Sequence, residues 1–341
     1  MEPNNSPAEY ILYKRRWFIL GSLAMLNLSN NALWISYSAV ADVTAEYFKI
    51  TADEVDLLGT ISFMVGIPMC LVAAYITNTF GLKTGIYAGS VLTLLGGGVR
   101  ALSTLPGLNT YISLNWQYYL SLAGQALTGM GNPFAVSLPT KVSQNWFGEK
   151  ERIVATGVLA MSLPLGIVLG QGCSPIFVRT ASDVPVMNLV WFGPAVLTQI
   201  LVVFAVTSSN PPTPACLSSK LALEAEKKTT FKDYLIILKT MMCNIPFLVL
   251  FLVIGGAVGF FNAFSTQLSQ LMCSRGYDNI SSGIAGSLLL GTGFVGATAS
   301  GILVEKYGYI EEISKVFYGI AGIWGILIAE FMRKPDSQVS L

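Results

Sequence analysis

The chain has 341 residues, a formal net charge of +1, 53% hydrophobic residues and only 11% charged ones. Soluble domains carry roughly 25% charged residues, so this composition excludes a water-facing globular surface and leaves lipid as the main solvent. With no basic tail a nucleic-acid partner is excluded, and the absence of histidine removes imidazole metal sites and Ser-His or Cys-His nucleophile systems.

In chain order, Lys14-Arg15-Arg16 closes a cytoplasmic N-terminus, 1–16. The apolar run that follows is too long for a signal peptide and has no small-residue cleavage site, so it reads as a first span. Further apolar segments long enough to cross a bilayer lie near 57–77, 84–103, 117–138, 154–178, 187–208, 245–273, 282–304 and 313–332, after the first near 17–40. That makes about nine transmembrane helices in an all-α membrane protein. The polar stretch 209–244, opened by Pro211, Pro212 and Pro214, reads as a cytoplasmic linker whose second half is an amphipathic interfacial helix. It separates a six-helix bundle, 17–208, from a partial bundle, 245–332, and a polar tail, 333–341.

Lys83, Lys141, Lys150, Arg152, Lys228 and Lys306 fall on the same side as the N-terminus, which makes that side cytoplasmic. Asp42, Glu46, Asp53, Glu54 and Asp56 gather on the other, where Asn279-Ile280-Ser281 forms a glycosylation sequon. The five cysteines form no C-x-x-C pair, so neither a metal nor a disulfide framework is expected, and no catalytic constellation or cofactor site is visible.

The two halves share a turn. Gly301-Ile-Leu-Val-Glu305-Lys306-Tyr-Gly308 matches the loop signature G-x-x-x-D-[RK]-x-G of major facilitator transporters, and Asn78, Gly81 and Lys83 form a degraded copy in the first half. Both copies follow the second span of their half, as parallel repeats require. The acidic position would accept hydrogen bonds from a neighbouring helix N-terminus, and Asn78 keeps that capacity without the charge.

Longer stretches carry a more specific resemblance: Asn31-Ala-Leu-Trp34-Ile-Ser-Tyr37-Ser38, Gly124-Gln125-Ala-Leu-Thr-Gly-Met-Gly-Asn132-Pro-Phe, Asn145-Trp146-Phe147-Gly148 and Gly259-Phe-Phe-Asn-Ala-Phe-Ser265-Thr266. These resemble the feline leukaemia virus subgroup C receptor-related proteins, solute carrier family 49 of the major facilitator superfamily. The resemblance implies a fold of two six-helix halves around a central cavity, and relatives linked to choline, ethanolamine and haem. Against that fold the chain holds the first bundle and roughly half of the second, and a splice variant or incomplete gene model is the expectation for the rest.

Asn30, Asn31, Trp34 and Tyr37 recur on span one at helical spacing, with Gln125 and Asn132 on span four and Asn262 and Gln267 on span seven. Amides cannot face lipid unpaired, so they face other helices or a hydrated cavity, and packing between helices is the plainer account of each. The resemblance places Trp34 where the family sets an aromatic against a quaternary ammonium. It places Asn132 where relatives carry Gln, and Asn262 where choline-carrying relatives have Tyr. One of Phe260, Phe261 and Phe264 could replace that missing wall.

No carboxylate sits at membrane depth, which favours a facilitated, uniporter-like carrier of a small organic solute over a proton symporter. The membrane expected is plasma or endolysosomal, and the partners are the bilayer and the solute. The alternative is a non-transporting chain that associates through its helices with a related full-length carrier and modulates it.

Overall fold

A computed structural model describes residues 10–107, 111–225 and 231–333. In chain order these form α1 (Arg15–Ala39), α2 (Ala41–Phe48), α3 (Ala52–Phe80), α4 (Leu82–Ser103), α5 (Leu114–Ser137), α6 (Pro139–Trp146) and α7 (Glu149–Phe177). After a short 3-10 turn come α8 (Val184–Ala205), α9 (Leu217–Ala225), α10 (Phe231–Met242), α11 (Ile245–Cys273), α12 (Asn279–Tyr307) and α13 (Ile310–Arg333). Among the described residues, six helices are long and apolar enough to cross a membrane: α1, α3, α4, α7, α8 and α11.

Three more helices, α5, α12 and α13, have spanning length at 24, 29 and 24 residues. Polar and small residues dilute the first two, and Glu311 and Glu312 open the third. The sequence windows missed α2 and α6, which lie against the ends of the bundle. Both are eight residues long, too short for a spanning window. Val40 leaves helical geometry between α1 and α2, and Pro139 stands at the first turn of α6, where its missing N–H costs nothing. The stretch 209–244 holds α10 in its second half, where a helix was expected, and α9 in its first.

The first half is built around α1, whose Asn27, Ser29, Asn30 and Asn31 are all buried. In lipid the pull between helices comes from close packing and interhelical hydrogen bonds, because tails are as apolar as Leu. Glycine permits that approach. A Cβ on Gly166 of α7 would lie 2.5 Å from the Leu28 carbonyl oxygen of α1, and one on Gly129 of α5 would lie 2.5 Å from the Ser62 Cα of α3. Both obstacles are backbone, so neither can swing aside. Gly166→Val is therefore expected to destabilise the bundle by about 1–3 kcal/mol, read as a lowered melting temperature in detergent. An unchanged melting temperature would mean that α1 and α7 have room to separate.

Basic side chains close one end of the bundle. Arg15 donates to the Ala205 and Phe204 carbonyls at 2.9 and 3.1 Å, and Lys83 Nζ donates to Thr207 O at 3.0 Å. The Phe204 and Ala205 carbonyls are free ends of the last turn of α8, which attract positive charge, and Thr207 lies just past it. Arg16 pairs with Glu151 at 2.8 Å, tying the starts of α1 and α7.

The two signature turns share their backbone. Gly81, between α3 and α4, has φ +87°, and Gly308, between α12 and α13, has φ +72°, a region that penalises any Cβ. Asn78 is exposed and makes no side-chain hydrogen bond among the described residues. Lys83 and Ser209 hold that turn instead, with Ser209 Oγ accepting from Lys83 N at 3.1 Å. Lys306 lies over the Tyr307 ring at 5.4 Å, and the surroundings of Gly301 and the side chain of Glu305 lie outside what is described.

The second half touches the first near the opposite, acidic end. There a Cβ on Gly286 of α12 would meet Gln171 of α7 at 2.5 Å, and one on Gly59 of α3 would meet Thr266 of α11 at 3.6 Å. Toward the basic end, Ile245, Leu252 and Phe260 of α11 are exposed, as are Ile153 of α7 and Ile67 of α3.

Candidate functional site

Between the halves lies a cavity of about 450 Å³, walled by α1, α3, α5, α7 and α11. Asn30, Asn31 and Trp34 reach it from α1, Asn132 from α5 and Asn262 from α11. These five sequence-selected residues share one chamber although they come from three separate helices. The other wall residues include Phe63 and Cys70 of α3 and Phe261 of α11. Trp34 meets Phe63 edge to face at 5.2 Å and donates its Nε1–H to Gly59 O at 3.1 Å, which fixes the indole plane. Of the three phenylalanines considered for α11, Phe261 is in the wall, whereas Phe260 is 71% exposed and stacks on Phe264 at 6.4 Å. No Asp, Glu, Lys or Arg lines the cavity among the described residues.

Tyr37, Gln125 and Gln267 are not in the wall. Tyr37 and Gln125 belong to a buried cluster beside it around Arg100, which is 0% exposed. Arg100 donates to Gln125 Oε1 at 3.1 Å, Ser36 Oγ at 2.8 Å, Asn188 Oδ1 at 3.0 Å and to the Leu33 carbonyl. Its guanidinium carbon lies 4.1 Å from the Tyr37 ring centroid, and Asn188 Nδ2 donates to Tyr37 Oη at 2.9 Å. A buried cation is costly in an apolar medium, and four neutral acceptors and an aromatic face offset that cost. The sequence placed Arg100 near a helix end; the structure seals it there beneath α1, α5 and α8. The cluster touches the cavity through backbone, since Gln125 Nε2 donates to Trp34 O at 3.2 Å and Ser62 Oγ to Gln125 O at 3.2 Å.

Gln267 stands beyond the cavity floor, at the acidic end. Its Nε2 donates to Asp56 Oδ2 at 2.8 Å, and Gln270 Nε2 donates to Asp56 Oδ1 at 2.7 Å, so one carboxylate of α3 clasps two amides of α11. Asn279 Nδ2 donates to Asp42 Oδ1 at 2.6 Å, which engages the sequon amide in a second contact between the halves. Below the clasp, Trp34 and Ile35 of α1, Ile167 of α7 and Leu290 of α12 form a tight apolar floor. These contacts shut the chamber at the acidic end, while Ile67 of α3, Ile153 of α7 and Leu252 of α11 stay exposed. Sequence reasoning missed Asp56 because an acidic residue in a loop has no visible partner until α11 is placed opposite.

Comparison with known proteins fits this architecture. Residues 17–333 match the family model of the Major Facilitator Superfamily. The chain is 32% identical over 336 residues to the Solute carrier family 49 member A3 of Xenopus tropicalis, covering 98% of this chain and 68% of that protein. It is 25% identical over 327 residues to the Choline/ethanolamine transporter FLVCR2 of Homo sapiens, covering 93% and 60%. A crystal structure of a D-xylose-proton symporter superposes with a TM-score of 0.58 at 13% identity, covering 86% of this chain and 69% of that one. The chain thus spans between 55% and 68% of the length of such curated relatives. The superfamily comprises transporters, not enzymes. On the family match and the relative from Xenopus tropicalis, the chain is a multi-pass membrane protein of the major facilitator superfamily and belongs to its solute carrier family 49.

Proposed function

We propose that the cavity is the binding site of a facilitated carrier for a small organic solute, held open to the cytoplasm. The observation that carries the reading is a chamber between two helix bundles, closed at the acidic end by the Asp56 clasp and the apolar floor and free of Asp, Glu, Lys and Arg in its described wall. A proton symporter usually places a carboxylate or imidazole where it meets both substrate and water, and the described wall holds neither. The positive-inside tendency of Lys and Arg puts the basic end, with the N-terminus, in the cytoplasm. On this reading α1 to α8 form one bundle, α9 and α10 a cytoplasmic linker, and α11 to α13 part of a second bundle, with all nine long helices crossing the membrane. Choline and ethanolamine are the solutes to try first, because relatives are named for them.

Trp34 and Cys70 supply the test. The chain reconstituted in liposomes should show saturable flux of one of these solutes, and that solute should slow alkylation of Cys70. Trp34→Ala removes the one indole face in the wall, worth roughly 0.5–2 kcal/mol toward a cation. Apparent affinity should fall roughly two- to thirtyfold, with a matching loss of Cys70 protection. Unchanged flux and protection would remove Trp34 from the site. Flux that appears only with a co-reconstituted full-length relative would favour the association reading instead.

A further inference from the structure

Gln171 of α7 is 1% exposed, and among the described residues it is the one side-chain amide with both ends buried and unpaired. The amides around Arg100 are engaged at both ends. Gln125 accepts from Arg100 and donates to Trp34 O, and Asn188 accepts from Arg100 and donates to Tyr37 and Thr104. A buried polar group without partners costs free energy, because it gives up water and gains nothing in exchange.

The second half causes this. Gln171 faces Ser265 and Leu268 of α11 and Gly286, Leu289 and Leu290 of α12, with no room for a water molecule between them. A Cβ on Gly283 would lie 2.8 Å from the Gln171 carbonyl oxygen, and one on Gly286 would lie 2.5 Å from its Cγ. Those two glycines bring α12 onto the amide at backbone distance. Ser265 does not serve it, since its Oγ donates within α11 to Phe261 O at 2.8 Å. Ser282 of α12, one turn before Gly286, is 0% exposed, and its Oγ is unpaired as well.

We infer that Gln171 works against closure of the acidic end: shutting that end strands its amide, and parting α7 from α12 returns the amide to water. This rests on the carrier reading, in which the two halves rock apart at the acidic end. The Asp56 clasp favours closure through two amide hydrogen bonds, and Gln171 opposes it through two that are missing. The effects have opposite sign, so together they draw the two cavity openings toward comparable populations. A carrier needs that balance, because a state held firmly shut on one side turns over slowly.

Gln171→Met supplies the test, since it keeps the length of the side chain and removes both stranded atoms. The reporter is Ser265→Cys, placed in the full chain in sealed vesicles. It is labelled from the acidic side with a membrane-impermeant maleimide and quantified at position 265 by peptide mass spectrometry. Ser265 is 4% exposed while the end is shut, so the labelling rate follows the open fraction. Gln171→Met should slow labelling by roughly fivefold or more, and Gln171→Leu should act in the same direction. Gln171→Glu must be protonated or buried as a charge before the end can shut, so it should speed labelling. Asp56→Ala should also speed labelling, and adding Gln171→Met to it should bring the rate back toward wild type. A wild-type or faster rate in Gln171→Met, with position 265 labelled in Asp56→Ala, overturns the inference and leaves the carrier reading standing. If position 265 stays unlabelled in both Asp56→Ala and Gln171→Glu, the acidic end does not open, and both readings fall.

Discussion

Arg100→Met is expected to leave the detergent-solubilised protein poorly folded, with a loss of roughly 3 kcal/mol or more. The reason is in what stays behind. Gln125 Oε1 and Asn188 Oδ1 lose the guanidinium as donor in a buried region where water does not replace it, whereas Ser36 Oγ still donates to the Leu33 carbonyl at 2.9 Å. An acceptor stranded in this way costs about 1–3 kcal/mol, and partial repacking recovers some of the sum. Asn188 would keep its donations to Tyr37 and Thr104, at 2.9 and 3.0 Å, so collapse would begin at the α1–α4–α5 side of the cluster. Arg100→Lys keeps the charge over Tyr37 but replaces a planar fork by a compact ammonium that cannot span the same acceptors, so an intermediate loss is expected. Melting followed by intrinsic fluorescence reads both variants. A wild-type melting temperature for Arg100→Met would show that the cluster is dispensable. A milder variant that folds should still perturb the cavity, because Gln125 links Arg100 to the Trp34 backbone.

The parts of this architecture that depend on composition over a window were legible in the sequence. Six of the nine long helices are apolar and long enough to cross a membrane, the other three also lie on apolar segments of the sequence, and the two ends of the bundle follow from the split of basic and acidic loop residues. The Asn30–Asn31–Trp34 face was legible too, since one helix period sets it and lipid cannot receive amides. What lies one turn further was not. Tyr37 shares that face, yet it meets Arg100, and no local signal reveals a partner that another helix brings. Gln267 is five residues past Asn262, which turns it roughly 140° around α11 and about 7.5 Å along it. Grouping the two as one site ignored that rotation, and Gln267 lies at the clasp. The short helices α2 and α6 escaped for a related reason: a hydropathy window sees solvent preference and not the local bend at Val40 or Pro139.

Asp56→Ala is expected to shift the protein away from the state whose cavity is shut at the acidic end. Asp56 is the one carboxylate of α3 that engages α11 among the described residues, and it takes a separate amide on each oxygen at 2.7 and 2.8 Å. Fully buried, each charge-assisted bond would be worth about 1.5–3 kcal/mol. This pair is partly exposed, so water competes and roughly 1 kcal/mol in total is the realistic share. These bonds exist only while the acidic end is shut, so the whole of that energy biases the equilibrium between the two cavity openings. The ratio of molecules open at the basic end to those open at the acidic end should then fall about fivefold, and alkylation of Cys70 from the basic end should slow by up to that factor. Asp56→Asn is the matched control: its oxygen still accepts from one glutamine and its nitrogen can donate to the other, so most of the bias should remain. Stability should change little in either variant, because the clasp joins two halves that must part during transport. If Cys70 alkylation in Asp56→Ala keeps the wild-type rate from both sides, the apolar floor of Ile35, Ile167 and Leu290 holds the closed end without help from the carboxylate.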